Sequence, residues 1–336
     1  MEIAAVFAPT LETPDHIVVA EELGYERAWV YDVPVAWADT GITLALAALR
    51  TSKIRLGISV MTEHMRHIGL NAGMVAHLAT LAPGRFDLGL GTGLTSALFT
   101  GHAPSKWADL ERYADDMRTL LAGGEVEVEG ARISLMHSSR TGITFPVDVS
   151  MFFGAQGPRG QATAQRMGMG VIMNATHDLT VPEGTVVALS GYGTVLEEDE
   201  AIDSPRAIEA AGPGAALGLH VGHYGPLAGL PEVDGFLEAI SEVDETRRLR
   251  EMFRGHLIEP NKYDRKFLTA DVVRRATLTG TRDVIAAEMR RLEDLGAGVY
   301  VYQPAGPDIE RELRAFMEAA ELRHDLPRTN AQPQPA

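Results

Sequence analysis

The segment Ala28–Gly93 limits the fold more tightly than any other part of the chain. It reads as AWVYDVPVAW, then TLALAALRTSKIRLGISVMTEHMRH, then AGMVAHLATLAPGRFDLGLGTG. In each unit an apolar run of strand length ends in polar or glycine residues, and a stretch with helical spacing follows. Strand–helix alternation builds a parallel sheet, and closure into a barrel gathers the strand C-termini on the face where catalytic groups collect. That face is expected to carry Asp32, the Ser59–Val60 step, Arg66, His67 and the Gly91–Thr92–Gly93 turn.

The pattern extends in both directions. Ile3–Phe7 reads as the first strand, and the helix Pro14–Leu23 stops at Gly24. Ala28–Tyr31, Ile54–Val60 and Phe86–Leu90 are the next strands, with helices at Ile42–Leu49 and Leu70–Leu81 between them. Trp107–Leu121 is an amphipathic helix, and GGEVEVEGARISL reads as a hairpin around Gly130. Val147–Phe153, Val171–Met173 and Val186–Ser190 continue the barrel, with Gly160–Met167 as a helix. Helix Thr281–Leu295, strand Gly298–Tyr302 and helix Asp308–Ala320 close it. The expectation is a single (β/α)8 TIM barrel over residues 1–322, with an insertion at about 197–277 and a disordered tail at 323–336.

Composition narrows the function. The 336 residues suit one barrel with insertions, and a formal net charge of −16 leaves no basic surplus for nucleic acid or an anionic membrane. The absence of cysteine excludes thiolate catalysis, disulfides, iron–sulfur clusters and cysteine-bound zinc. No stretch has the roughly 18–20 apolar residues of a membrane span, and MEIAAVFAPTLETPD lacks the basic start of a signal peptide. A cytoplasmic location follows as an expectation. His220 and His223 have H-x-x-H spacing, but no carboxylate stands in register, so no metal is expected.

WVYD, TSKIRLGISVMT with Arg66–His67, ATLAPGRFDLGLGTG, FFGAQGPRG and the closing GTRDVIAAEMRRLEDLGAGVYVYQPAGPDIEREL together resemble the bacterial luciferase-like superfamily. Its members are flavin- and deazaflavin-dependent oxidoreductases on a TIM barrel. The spacing from Tyr31–Asp32 through Val60 looks most like the branch that uses coenzyme F420, to which methylenetetrahydromethanopterin reductase and F420-dependent glucose-6-phosphate dehydrogenase belong. The resemblance implies hydride transfer between the deazaflavin and an organic small molecule. It also implies a non-prolyl cis peptide at Ser59–Val60 against the ring, and a homodimer formed through the helices at Ile42–Leu49 and Leu70–Leu81.

Several residues then become candidates. Asp32 ends a strand where a polar contact to cofactor or substrate is expected, with a helix cap or a barrel-end salt bridge as the plain structural reading. Trp37 stands where related enzymes place an aromatic over the substrate. His67 is a candidate substrate contact. Gly91, Thr92 and Gly93 let backbone approach a ligand closely, because glycine removes the obstructing side chain. Gly154, Gly157 and Arg159 lie in a glycine-rich turn that opens a helix, where free N–H groups and the dipole suit a phosphate.

Two positions depart from the branch. Val33 follows Asp32 where histidine is usual, and Leu94 replaces a frequent acidic residue. His220, His223 and His256 are alternative sources of the missing acid. FMN-dependent monooxygenation and a non-catalytic cofactor-binding barrel therefore stand as alternatives.

Overall fold

A computed structural model describes residues 1–175 and 184–329. Ten strands are present: β1 (Glu2–Phe7), β2 (Arg27–Val30), β3 (Arg55–Met61), β4 (Phe86–Leu90), β5 (Val126–Val128), β6 (Ala131–Ile133), β7 (Ser150–Gly154), β8 (Gly170–Asn174), β9 (Val187–Tyr192) and β10 (Val299–Gln303). Eight of them close a parallel barrel in the order β1-β10-β9-β8-β7-β4-β3-β2, the expected (β/α)8 architecture. β5 and β6 form the separate antiparallel hairpin, turning through Glu129 and Gly130 at φ 51° and 81°. Both turn residues are left-handed, as a tight hairpin requires.

Period-two alternation sorts the side chains. Ala4 and Val6 of β1 point into the barrel, while Ile3, Ala5 and Phe7 face the helices. Inside, Trp29 and Phe152 meet at 5.3 Å and are surrounded by smaller residues, among them Ala188, Val299 and Val301. The barrel is therefore filled, as eight-stranded barrels are.

Its lower end is sealed by charge. Asp87 is 1% exposed and accepts from Arg27 Nη1 at 2.7 Å, Arg55 Nη2 at 2.6 Å and Trp29 Nε1 at 3.0 Å. Buried carboxylates are tolerable only when their lone pairs are met in this way.

Between β9 and the helix Arg282–Asp294 the chain builds four further helices: Pro205–His220, Pro231–Ser241, Glu245–Met252 and Ala270–Ala276. They enclose a second apolar cluster that includes Ala215, Leu219, Phe236 and Val273. Glu312, 3% exposed, ties this region to the barrel by accepting from Thr194 Oγ1 (2.6 Å), Arg206 Nη1 (3.1 Å) and Arg311 Nη1 (2.8 Å).

Three local expectations change. A short helix, Leu94–Thr100, follows Gly93; seven residues are too few to show helical period in sequence. Val147 donates its N–H to Leu121 O, so β7 joins the barrel only at Ser150. The start of the expected tail is packed: Arg323 is 5% exposed and donates to Ala320 O and Met1 O, and Thr329 Oγ1 donates to Asp294. Residues 330–336 lie outside the described residues. Among the described residues no helix is long and apolar enough to cross a membrane.

Candidate functional site

At the upper end the barrel opens into a cup whose floor is Val60 and Tyr31. Both are half-buried and rest on the interior cluster. Val60 arrives there because β3 bulges: its pairing with β4 slips between Ile58 and Met61, and the Ser59–Val60 peptide is cis, as the resemblance implied. The strand ends around it are stripped of side chains. A Cβ on Gly91 would stand 2.4 Å from Val60 Cγ2, one on Gly89 3.1 Å from Cγ1, and one on Gly154 3.4 Å from Cγ1. At Gly89 and Gly91 glycine is a condition for Val60 to project where it does.

The wall continues through Gly93, at φ 77°, where a Cβ would fall within 2.8 Å of Ser96 Oγ, Thr62 Cγ2 and His64 Cε1. Thr92 is half-buried between these glycines, its carbonyl accepting from Ser105 N at 2.9 Å. Beyond Gly154, Gly157 begins the helix Pro158–Arg166 with no side chain to cap it, and Arg159 is exposed in its first turn. Pro158 has no N–H and Gly160 N donates to Gly157 O at 3.1 Å, so of the first three helical residues Arg159 is the one whose N–H could meet an anion.

Asp32 takes up the barrel-end salt bridge. It is 1% exposed and accepts from Arg66 Nη1 at 2.7 Å and Nη2 at 2.9 Å. The hydrogen bond to Asp32 raises the Arg66 guanidinium pKa against the opposing pull of burial. This fork geometry gives Asp32 a partner within the chain and fixes the loop after β3. His67 is exposed and caps the helix Ile68–Leu81, its Nδ1 accepting from Gly69 N at 3.1 Å. Sequence spacing had placed both on the catalytic face; their partners here are internal.

Trp37 is half-buried and belongs to an aromatic wall that the insertion completes. Its Nε1 donates to His256 O at 3.0 Å, its ring stacks on His256 at 5.7 Å, and Tyr31 lies 5.5 Å away. Phe99 and Phe253 pack edge-on against His256 at 5.9 and 5.1 Å. Burial, with His220 close by, pushes the His256 pKa down to about 3, so the ring is neutral at ordinary pH. Behind it His220 Nε2 meets Asp264 Oδ1 at 2.8 Å, while His223 turns instead to Asp234 at 3.4 Å. The H-x-x-H pair therefore diverges.

The reading from sequence missed the polar side of the floor. Tyr31 Oη donates to Gln303 Oε1 at 2.7 Å, and Gln303 Nε2 donates to Leu257 O at 3.0 Å. Tyr192 and Ser190, from the end of β9, lie near the same hydroxyl. The available signal was a polar residue at the end of an otherwise apolar strand, in VYVYQ and VALSGY. His64 was missed as well; its Nε2 lies 3.1 Å from Ser96 Oγ behind Gly93.

With this geometry in view, comparison with known proteins becomes informative. The family model described as luciferase-like monooxygenase matches residues 8–185. The chain belongs to that family. Among curated luciferase-like relatives, 5,10-methylenetetrahydromethanopterin reductase of Methanopyrus kandleri is 26% identical over 341 residues, covering 88% of this chain and 90% of its own. F420-dependent glucose-6-phosphate dehydrogenase of Beutenbergia cavernae is 32% identical over 224 residues, covering 61% of this chain and 65% of its own. Among solved structures, the coenzyme F420-dependent tetrahydromethanopterin reductase of M. kandleri superposes with a TM-score of 0.72 at 19% identity, covering 96% of this chain and 99% of its own. That last likeness concerns the fold. In the luciferase-like chain described here, the β3 bulge and the GTG turn both lie inside the matched residues.

Proposed function

We propose that the protein is an oxidoreductase that uses coenzyme F420 to move a hydride to or from an organic small molecule. The observation that carries this reading is an apolar Val60 on a bulged strand, with Gly89, Gly91 and Gly154 bare of side chains around it. A curated relative named as an F420-dependent dehydrogenase, aligned over 61% of this chain, supports the choice of cofactor.

When bound, a 5-deazaflavin supplies two-electron hydride chemistry, and the protein supplies position and shelter. Ser59 and Val60 bear on the ring in this reading, and the Gly91–Thr92–Gly93 backbone approaches its edge. Gly154, Gly157 and Arg159 receive the phosphate-bearing tail, where the helix N-terminus and a cation act together. Trp37 and His256 shield the opposite side from water, which strengthens every polar contact within. Asp32 and Arg66 hold the surrounding loop in shape.

Titration of the purified apoprotein with F420 and with FMN, read by fluorescence quenching, tests the reading. Quenching by F420 at lower concentration than FMN is expected. The reverse order would move the assignment to a flavin monooxygenase, and silence with both would end it.

A second copy of the chain is the proposed partner. Ile42, Leu46 and Leu49 stand 65%, 41% and 72% exposed along the helix Thr40–Ala48 and its cap, and Leu70 is 67% exposed on the next helix. Apolar side chains spaced in this way on one face favour burial against another protein surface. Ile42→Asp combined with Leu46→Asp is expected to convert a dimer to a monomer in size-exclusion chromatography with light scattering.

A further inference from the structure

Three ion-paired groups at the upper end of the molecule are closed within the chain. Asp32 holds Arg66, Asp264 holds His220, and Glu312 holds Arg206 and Arg311. What is left on the floor is neutral and hydroxylic: Tyr31, Tyr192, Ser190 and the Gln303 amide. Of these, Tyr31 has the central place. Its ring caps the barrel interior beside Val60, it is half-buried, and Trp37 borders it at 5.5 Å.

The hydrogen bonds have a direction. The single hydroxyl proton of Tyr31 goes to Gln303 Oε1 at 2.7 Å. Gln303 in turn is anchored through Nε2 to Leu257 O of the insertion.

We propose that Tyr31 Oη hydrogen-bonds and protonates the carbonyl oxygen of an uncharged substrate, a role that rests on the hydride-transfer reading above. Hydride added to a carbonyl carbon breaks the C=O π bond and leaves its electron pair on oxygen. Tyr31 turns its proton from Gln303 to that oxygen, an alcohol results, and a proton from solvent restores the phenol. The hydride and its two electrons come from a reduced 5-deazaflavin, which is oxidised in the exchange. Burial, assisted by Tyr192, holds the Tyr31 pKa well above the ordinary phenol range. The hydroxyl thus remains a donor across neutral pH, and an alkoxide is still the stronger base. Matched charges argue against a phosphorylated or carboxylate substrate at this floor, since binding one would break an existing ion pair.

The test compares the full chain with Tyr31→Phe, which keeps the ring and removes the hydroxyl. Both are first titrated with F420; affinities within about threefold of each other, with matching far-UV circular dichroism, show that the cup is intact. The F420-loaded proteins are then titrated calorimetrically with N-cyclohexylformamide, whose carbonyl accepts a hydrogen bond but no hydride. The variant is expected to bind it about fivefold to tenfold more weakly. With reduced F420 and cyclohexanone, kcat is expected to fall about 10²- to 10⁴-fold.

On the unaltered protein, formamide binding should perturb the near-UV tyrosine difference spectrum, a readout that stands even if the variant does not fold. Equal formamide affinity in both proteins, equal turnover, or an unperturbed tyrosine spectrum overturns the role of Tyr31. Wild-type protein that takes up F420 but neither carbonyl probe overturns the substrate class. Failure of wild-type protein to take up F420 strikes the proposed function instead, and so is distinguished from both.

Discussion

The two ends of the barrel solve opposite problems with similar materials. At the base, Asp87 is enclosed by Arg27, Arg55 and the Trp29 N–H. At the mouth, Asp32 is held by one arginine, and the neighbouring groups are a valine, two tyrosines, an amide and several bare glycines. The base uses charge to close the barrel against water. The mouth carries its charge in the Asp32–Arg66 pair and leaves Val60, Tyr31 and Gln303 neutral.

The sharpest way to break this contrast is to remove the base charge. Asp87→Ala leaves Arg55 without its ion-pair partner and Arg27 with Glu2 alone. Since both arginines retain some solvent, a loss of about 3 kcal/mol is expected, at the low end for a broken buried pair. Urea unfolding measures it, and F420 affinity in the surviving folded fraction should not change. An unchanged midpoint would mean that the base network contributes little.

The mouth should fail differently, through acid. His256 is held at about 3 by burial and by His220, against 6.5 in the unfolded chain. The unfolded state therefore takes up the proton first as pH falls. The stabilisation is complete above about pH 6.5 and is lost progressively toward pH 3, on the order of 3 kcal/mol by pH 4. His256→Gln should flatten the fall of the thermal midpoint between pH 6.5 and pH 4. A variant that follows the wild-type curve would place the acid sensitivity elsewhere.

Gly91→Ala comes next. Its Cβ would press on Val60 at 2.4 Å, so either Val60 or the bulge must shift, at roughly 1–3 kcal/mol. The effect should appear mainly as weakened F420 quenching, about tenfold or more for a displacement of that energy. If instead the melting temperature falls and cofactor affinity is kept, Val60 is a packing residue. The smallest effect belongs to His67→Ala, which removes a helix cap at the surface and should cost about 0.5–1 kcal/mol with no change in F420 affinity. Loss of binding in that variant would return His67 to the site.

Much of this molecule was legible without coordinates. Strands such as Phe86–Leu90 carry their own boundaries: an apolar run, flanked by the breaker pair Pro83–Gly84 before and Gly91 after. The candidate site was legible only in part. Gly91 and Gly93 were found because glycine has few reasons to recur at a strand end. Asp32 and His67 were candidates for their residue types at a favourable position, and position does not reveal a partner. Arg66 lies thirty-four residues from Asp32, and nothing local links them.

The alternation of period two with helical spacing determined, by itself, an eight-stranded barrel, because those periods are properties of a single segment. Tertiary structure alone decided which polar groups at that end found partners and which did not. Tyr31 meets Gln303 across 272 positions, and Trp37 meets His256 across 219. Contacts at such separations depend on closure of the whole barrel, and no short stretch of residues records them.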